Sequence, residues 1–220
     1  MPSSLAGIDP LVPVFCLAGL FGGLAADRLS ARWPAHEDGS VRKVDWRTIF
    51  VALFAAVALA AVPQRFGDPA ERLLFGVMFS ACVVLMATDL DQKLMPDVVN
   101  LPLILLGVAA LVWGGDSLVS RAPAWMAILG AVAIPGLLFA ASIPFGDGAF
   151  GGGDIKFLAA VGLLIGLTRI VLGVFVGVML SGVVIVTLLA TRRITLKSYI
   201  PFGPFLIIGA VWAALLPAAS

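Results

Sequence analysis

Apolar residues in this 220-residue chain come in long stretches that do not alternate with polar ones. The strands of a membrane barrel alternate with a period of two, so the pattern predicts helices. Measured against the roughly 20 residues a helix needs to cross a bilayer, the runs predict about eight spans. They lie near 11–27, 48–62, 72–88, 98–113, 124–143, 155–167, 170–190 and 201–217. The run at 155–167 gives only about 18 Å of helix at ~1.5 Å per residue. The next begins after just Thr168 and Arg169, so one merged helix is the competing reading.

Composition removes the soluble alternative. With 61% hydrophobic and 12% charged residues, the chain cannot cover its apolar surface with polar groups in water. In lipid every backbone polar group needs an internal partner. The expected fold is therefore all-α: a polytopic bundle of about eight transmembrane helices in one integral-membrane domain over residues 1–220. The first ten residues lack Lys and Arg, so no cleavable signal sequence is expected. Cys16 and Cys82 fall inside apolar runs, outside any C-x-x-C pair, and read as buried thiols. The net charge of +1 gives no sign of a nucleic-acid partner; the expected surroundings are membrane lipid.

Charge placement decides against merging. With eight spans, one set of loops holds Arg28, Arg32, Arg42, Lys43, Arg47, Lys93, Lys156, Arg192, Arg193 and Lys197, and the other holds Arg65, Arg72, Arg121 and Arg169. Basic residues gather on the cytoplasmic side. Both termini are thus expected outside, with the loops at 28–47, 89–97, 144–156 and 191–200 inside. The lone histidine, His36, sits among charges in the first of these loops. Small residues four apart at Gly19–Gly23, Gly162–Gly166 and Gly173–Gly177–Ser181 predict close helix packing.

The stretch GDGAFGGGDIK, residues 146–156, interrupts two apolar runs. Gly146, Gly148 and Gly151 spell G-x-G-x-x-G, but that fingerprint needs a strand turning into a helix. Here a membrane span precedes it. The acidic residues are more informative. Asp89, Asp91 and Asp97 follow the third span in TDLDQKLMPD, and Asp147 and Asp154 precede the sixth. Carboxylates at helix ends are cheap, which suffices for Asp97, Asp147 and Asp91. Asp89 is flush with the end of VMFSACVVLMAT, and Asp154 opens the short sixth span beside Gly151, Gly152 and Gly153. Carboxylates at membrane depth indicate function. Two brought together share one proton, the arrangement by which aspartic proteases activate water.

The pair DLDQKLMPD and GGGDIK, of G-x-G-D type, together with PFGPF at 201–205, resembles the prepilin leader peptidases. These are integral-membrane aspartic proteases related in chemistry to presenilin and the preflagellin peptidases. The resemblance runs from about the third span to the eighth. It implies Asp89 and Asp154 as the catalytic pair. Around them it implies Gly151, Gly152, Gly153 and Lys156 of the second motif, Asp97 as a loop-positioning residue, and Pro201, Gly203 and Pro204 near the site. A proline-capped helix start accounts equally well for Pro201 and Pro204. The implied substrates are prepilin or pseudopilin precursors of type IV pilus and type II secretion systems. Each carries a short basic leader, cut at the cytoplasmic face of the bacterial inner membrane. No cofactor is implied.

Many bacterial members carry a larger domain between the first two spans, with two zinc-binding C-x-x-C pairs, and also methylate the new N-terminus. Here residues 28–47 form a short loop without cysteine, which predicts a peptidase-only form with no metal site. The helix macrodipole predicts a division of labour, with charge favoured on Asp154 at a helix start and the neutral acid on Asp89 at a helix end. A proton-coupled transporter using the two aspartates as a relay is the competing function. It predicts acids in mid-span, whereas these cluster at one surface. Oligomeric state is left open.

Overall fold

The protein is described by a computed structural model covering residues 7–33, 41–114, 123–143, 151–195, 198 and 200–217. Its elements are helices: α1 (Val12–Ser30), α2 (Trp46–Arg65), α3 (Pro69–Gln92), α4 (Asp97–Gly114), α5 (Ala124–Ser142), α6 (Gly152–Ala190) and α7 (Gly203–Leu215). Five of them, α1, α2, α3, α5 and α6, are long and apolar enough to cross a membrane; α4 and α7 are shorter and apolar. Large apolar side chains such as Leu53, Trp113, Phe139 and Val183 point outward. That surface suits lipid, where helices satisfy their own backbone. The chain is a polytopic helical membrane protein. His36 and the Gly146–Gly148 half of the glycine hinge lie outside the described residues.

The chain divides into two compact units, residues 1–87 and 88–220. In the first, α1 lies on α2 through its small residues. A Cβ on Gly23 would stand 2.7 Å from the Ala52 Cα, and one on Gly19 would meet the Ala55 carbonyl. Glycine at these positions lets the two backbones approach. At the end of α1 the carboxylate of Asp27 is fully buried. It accepts from Arg28 Nε at 3.0 Å, from Thr48 Oγ1 at 2.7 Å and from Arg42. Asp45 caps α2 and pairs with Arg42 at 2.6 Å. A buried charge is tolerable only when its lone pairs are filled in this way. α3 starts on an Asp68 cap, with Ala70 N–H donating to Oδ2 at 2.8 Å.

The second unit holds the last turn of α3 and helices α4 to α7. α6 contains 39 residues, about 58 Å if straight at ~1.5 Å per residue and nearly twice a hydrocarbon core. It is not straight. Gly166 takes φ 76° and ψ 169°, a conformation glycine reaches without a Cβ clash. The runs at 155–167 and 170–190, read from sequence as two helices parted at Thr168 and Arg169, are two helical arms that meet at a kink, and the break falls at Gly166. Arg169, assigned from sequence to a loop, is a buried residue of the second arm. Its guanidinium donates to the carbonyls of Ala213 at 3.0 Å, Leu216 at 2.6 Å and Pro217 at 2.9 Å.

Those carbonyls lie at the end of α7, where helical donors run out; the Ala213 carbonyl also accepts from the Leu216 N–H at 3.4 Å, and a cation suits the negative end of the helix dipole. Replacing Arg169 by leucine is expected to strip them and destabilise the fold by about 2–3 kcal/mol. The measurement is a melting curve in detergent, with Arg169→Lys falling between. An unchanged midpoint in Arg169→Leu would show the cap to be dispensable. Elsewhere in this unit Gly162 meets the Gly130 backbone, and Gly173 and Gly177 meet α7 at Gly209 and Phe205.

Candidate active site

Asp89 lies in the last turn of α3 and Asp154 in the first turn of α6. Asp89 is buried, Asp154 half-buried. The fold brings these two carboxylates within electrostatic reach of each other. Each also meets a main-chain N–H at a helix start. Gly203, the first residue of α7, points its N–H at the Asp89 carboxylate, and Gly151, the N-cap of α6, points its own at Asp154. Helix starts leave such donors unsatisfied, so they receive anions readily. Asp89 Oδ2 is buried without a hydrogen-bond partner among the described residues. An unfilled buried carboxylate oxygen is expensive unless a proton or water serves it.

The chain leaves α3 through Lys93, whose φ of 56° is the left-handed turn that ends many helices. It re-enters a helix at Asp97. Met95 in this link is buried, and its methyl group lies where a side chain on Gly203 would stand. Its main chain also blocks Gly153: a Cβ there would be 2.8 Å from the Met95 carbonyl oxygen. Gly152 has open space around it. The three glycines of the motif thus differ in use, with Gly151 capping, Gly152 unconstrained and Gly153 allowing close approach. Pro204 is buried in the first turn of α7, and Pro201 precedes the Phe202 N-cap, so these prolines start a helix whose first N–H meets Asp89.

Lys156 Nζ donates to both oxygens of Asp97, at 2.7 and 2.6 Å. The side chains are 43% and 54% exposed, so the pair is worth about 0–1 kcal/mol. Lys156→Ala is accordingly expected to leave the melting midpoint within about 2–4 °C of wild type; a larger drop would show a desolvated, structural bridge. Sequence reading missed Asn100, one turn into α4 and wholly buried. It also missed Asp27. Asn100 sat in an apolar run with no motif of its own, and only its polarity inside that run marked it.

Residues 76–187 match the type IV leader peptidase family. The chain belongs to that family. The family match spans both proposed aspartates and ends before the PFGPF segment. The prepilin leader peptidase/N-methyltransferase of Aeromonas salmonicida (strain A449) is 30% identical over 94% of this chain. The Bacillus subtilis (strain 168) protein of the same name is 30% identical over 86%, and that of Pseudomonas putida 28% over 93%. The chain spans 65% of the Aeromonas protein's length, 67% of the Bacillus protein's and 66% of the Pseudomonas protein's. No solved structure matches it. As a type IV leader peptidase family member the chain has its likeness to relatives over nearly its whole length, well beyond the segment that carries the two acidic motifs.

Proposed function

We propose that this protein is a membrane aspartic endopeptidase that removes the short basic leader from type IV prepilin-like precursors, with Asp89 and Asp154 as its catalytic pair. One observation supports the reading: two carboxylates distant in sequence, one at the end of α3 and one at the start of α6, lie within electrostatic reach of each other, and the first is buried with an unfilled oxygen. Family membership supports the same reaction class and gives no support to a proton-coupled transporter.

In this reading Asp154, at the positive end of α6, carries the charge, and Asp89, at the negative end of α3, carries the shared proton. Water attacks the scissile carbonyl as Asp154 takes its proton and Asp89 protonates the carbonyl oxygen. The gem-diol collapses, its hydroxyl proton returns to Asp89, and Asp154 protonates the leaving amine as the C–N bond breaks. One water is consumed, and one carboxylic acid and one amine result. The two carboxyls and the water complete the step, so the reading includes no cofactor.

The basic-residue asymmetry supports eight crossings with both termini outside and the pair at the cytoplasmic face of the bacterial inner membrane. Residues 1–220 then act as one peptidase domain, with 28–47 in place of a larger insert. The absence of cysteine from that loop supports cleavage without methylation.

The test is co-expression with a prepilin. The expected result is a gel shift to the leaderless form, a new N-terminus without a methyl group by mass spectrometry, and no shift with Asp89→Ala or Asp154→Ala. Processing that persists in either variant would refute the assignment.

A further inference from the structure

The carboxamide of Asn100 reaches the main chain on both sides of the acid pair. Its Nδ2 donates to the Met95 carbonyl at 3.3 Å and to the Gly153 carbonyl at 3.2 Å. Both neighbours only accept, which fixes the nitrogen toward them. Met95 belongs to the link that follows Asp89, and its side chain lies against Gly203, whose N–H points at the Asp89 carboxylate. The Gly153 carbonyl is half of the peptide unit whose N–H is that of Asp154. One buried amide therefore spans the two backbones that carry the acids. Its Oδ1 is buried without a partner among the described residues. A side chain serving packing alone has no use for a half-satisfied amide, since an apolar one of like size avoids the unpaired carbonyl.

We propose that Asn100 is a positioning residue for the Asp89–Asp154 pair, fixing the Gly153–Asp154 peptide against the link that leaves α3. The proposal rests on the reading of those aspartates as catalytic. An ångström of slack between reacting groups costs ~10²-fold in rate. Asn100→Leu is expected to lower kcat by about 10–100-fold with KM near its wild-type value, because the loss falls on the transition state alone. Asn100→Thr, whose hydroxyl donates to one of the two carbonyls, is expected to recover part of the rate.

A second readout does not depend on activity. A water-soluble carbodiimide joins Lys156 to Asp97 across their ion pair, and the yield, read by mass spectrometry of the peptides, reports whether α6 stays seated on the start of α4. That yield is expected to fall in Asn100→Leu and to recover in Asn100→Thr. A yield unchanged in Asn100→Leu overturns the proposal whether or not the wild-type protein cuts a precursor. So does a lost cross-link with kcat intact, or a rate loss carried by KM. Wild-type protein that cuts no prepilin, with a cross-link still sensitive to Asn100→Leu, sinks the catalytic reading and leaves the restraint standing.

Discussion

Asparagine at Asp154 or Asp89 is expected to reduce prepilin cleavage by about 10²–10⁴-fold, the range for loss of a positioned acid or base. The two variants fail for different reasons. In the proposed mechanism Asp154→Asn removes the group that takes the proton from water. In the same proposal Asp89→Asn removes the proton that the scissile carbonyl receives. If the pair works as one unit, as proposed, the double variant should be little worse than either single one.

Stability separates them further. Asp89 is buried with an unfilled oxygen, so a neutral amide of the same shape there should leave the melting midpoint unchanged or raise it. Asp154 stands in the first turn of α6, and loss of its charge forfeits about 0.3–1 kcal/mol of favourable dipole interaction. Wild-type cleavage should follow a bell-shaped pH profile, since one carboxyl must hold a proton while the other does not. A sigmoidal profile with a single limb, or either asparagine variant cutting at the wild-type rate, would end the account. The measurement is initial cleavage rate in detergent, paired with a melt of each variant.

How legible each feature is in the sequence depends on the kind of signal it leaves. Long apolar runs gave the helices, because a helix in lipid must be apolar nearly all along. Small residues four apart gave the α1–α2 and α6–α7 contacts, because close approach demands them locally. The division at 155–167 and 170–190 was visible, and its cause was not. Thr168 and Arg169 looked like a polar loop, whereas the break is a backbone angle at Gly166 and Arg169 is a buried cap on α7. A side chain's polarity is written in the sequence; the carbonyls it serves, more than 40 residues on, are not.

The same holds for Asp27 and Asn100. Asp27 ends α1 beside Arg28 and reads as an exposed helix-end charge until Thr48 and Arg42 fold onto it. Asn100 reads as an isolated polar residue until Met95 and Gly153 bring two carbonyls to it. The acid pair itself was legible because its members break apolar runs at matching ends of two spans. Their shared location was an expectation from the placement of basic residues along the chain. The N–H of Gly203 at Asp89 followed from nothing local.

That N–H leads to the second large effect. Gly203→Ala is expected to lower kcat by about 10²-fold while the protein still folds. A Cβ at this position would lie 2.5 Å from Asp89 Oδ2 and 2.8 Å from its Cγ, and would also meet the Met95 methyl. The methyl ends a flexible side chain and can swing aside. The carboxylate is short and buried, so the overlap resolves by displacing the acid or by withdrawing α7 and its N–H. Either movement changes the placement of Asp89 on which the proposed mechanism depends. The stability loss should stay within the 1–3 kcal/mol typical of an overpacked site, because Gly203 has no positive φ for alanine to strain.

Gly152→Ala is the matched control. It makes the same chemical change one residue past the α6 N-cap, where an added Cβ meets nothing within 4 Å and alanine is the better helix former. It should cut at the wild-type rate and melt no lower. Both variants are to be compared at saturating prepilin, so that the difference reads on turnover rather than binding. If Gly203→Ala turned over as fast as Gly152→Ala, the packing of α7 on Asp89 would have no part in the chemistry. If both were equally dead, the glycines would be needed for flexibility of the turns rather than for room beside the carboxylate.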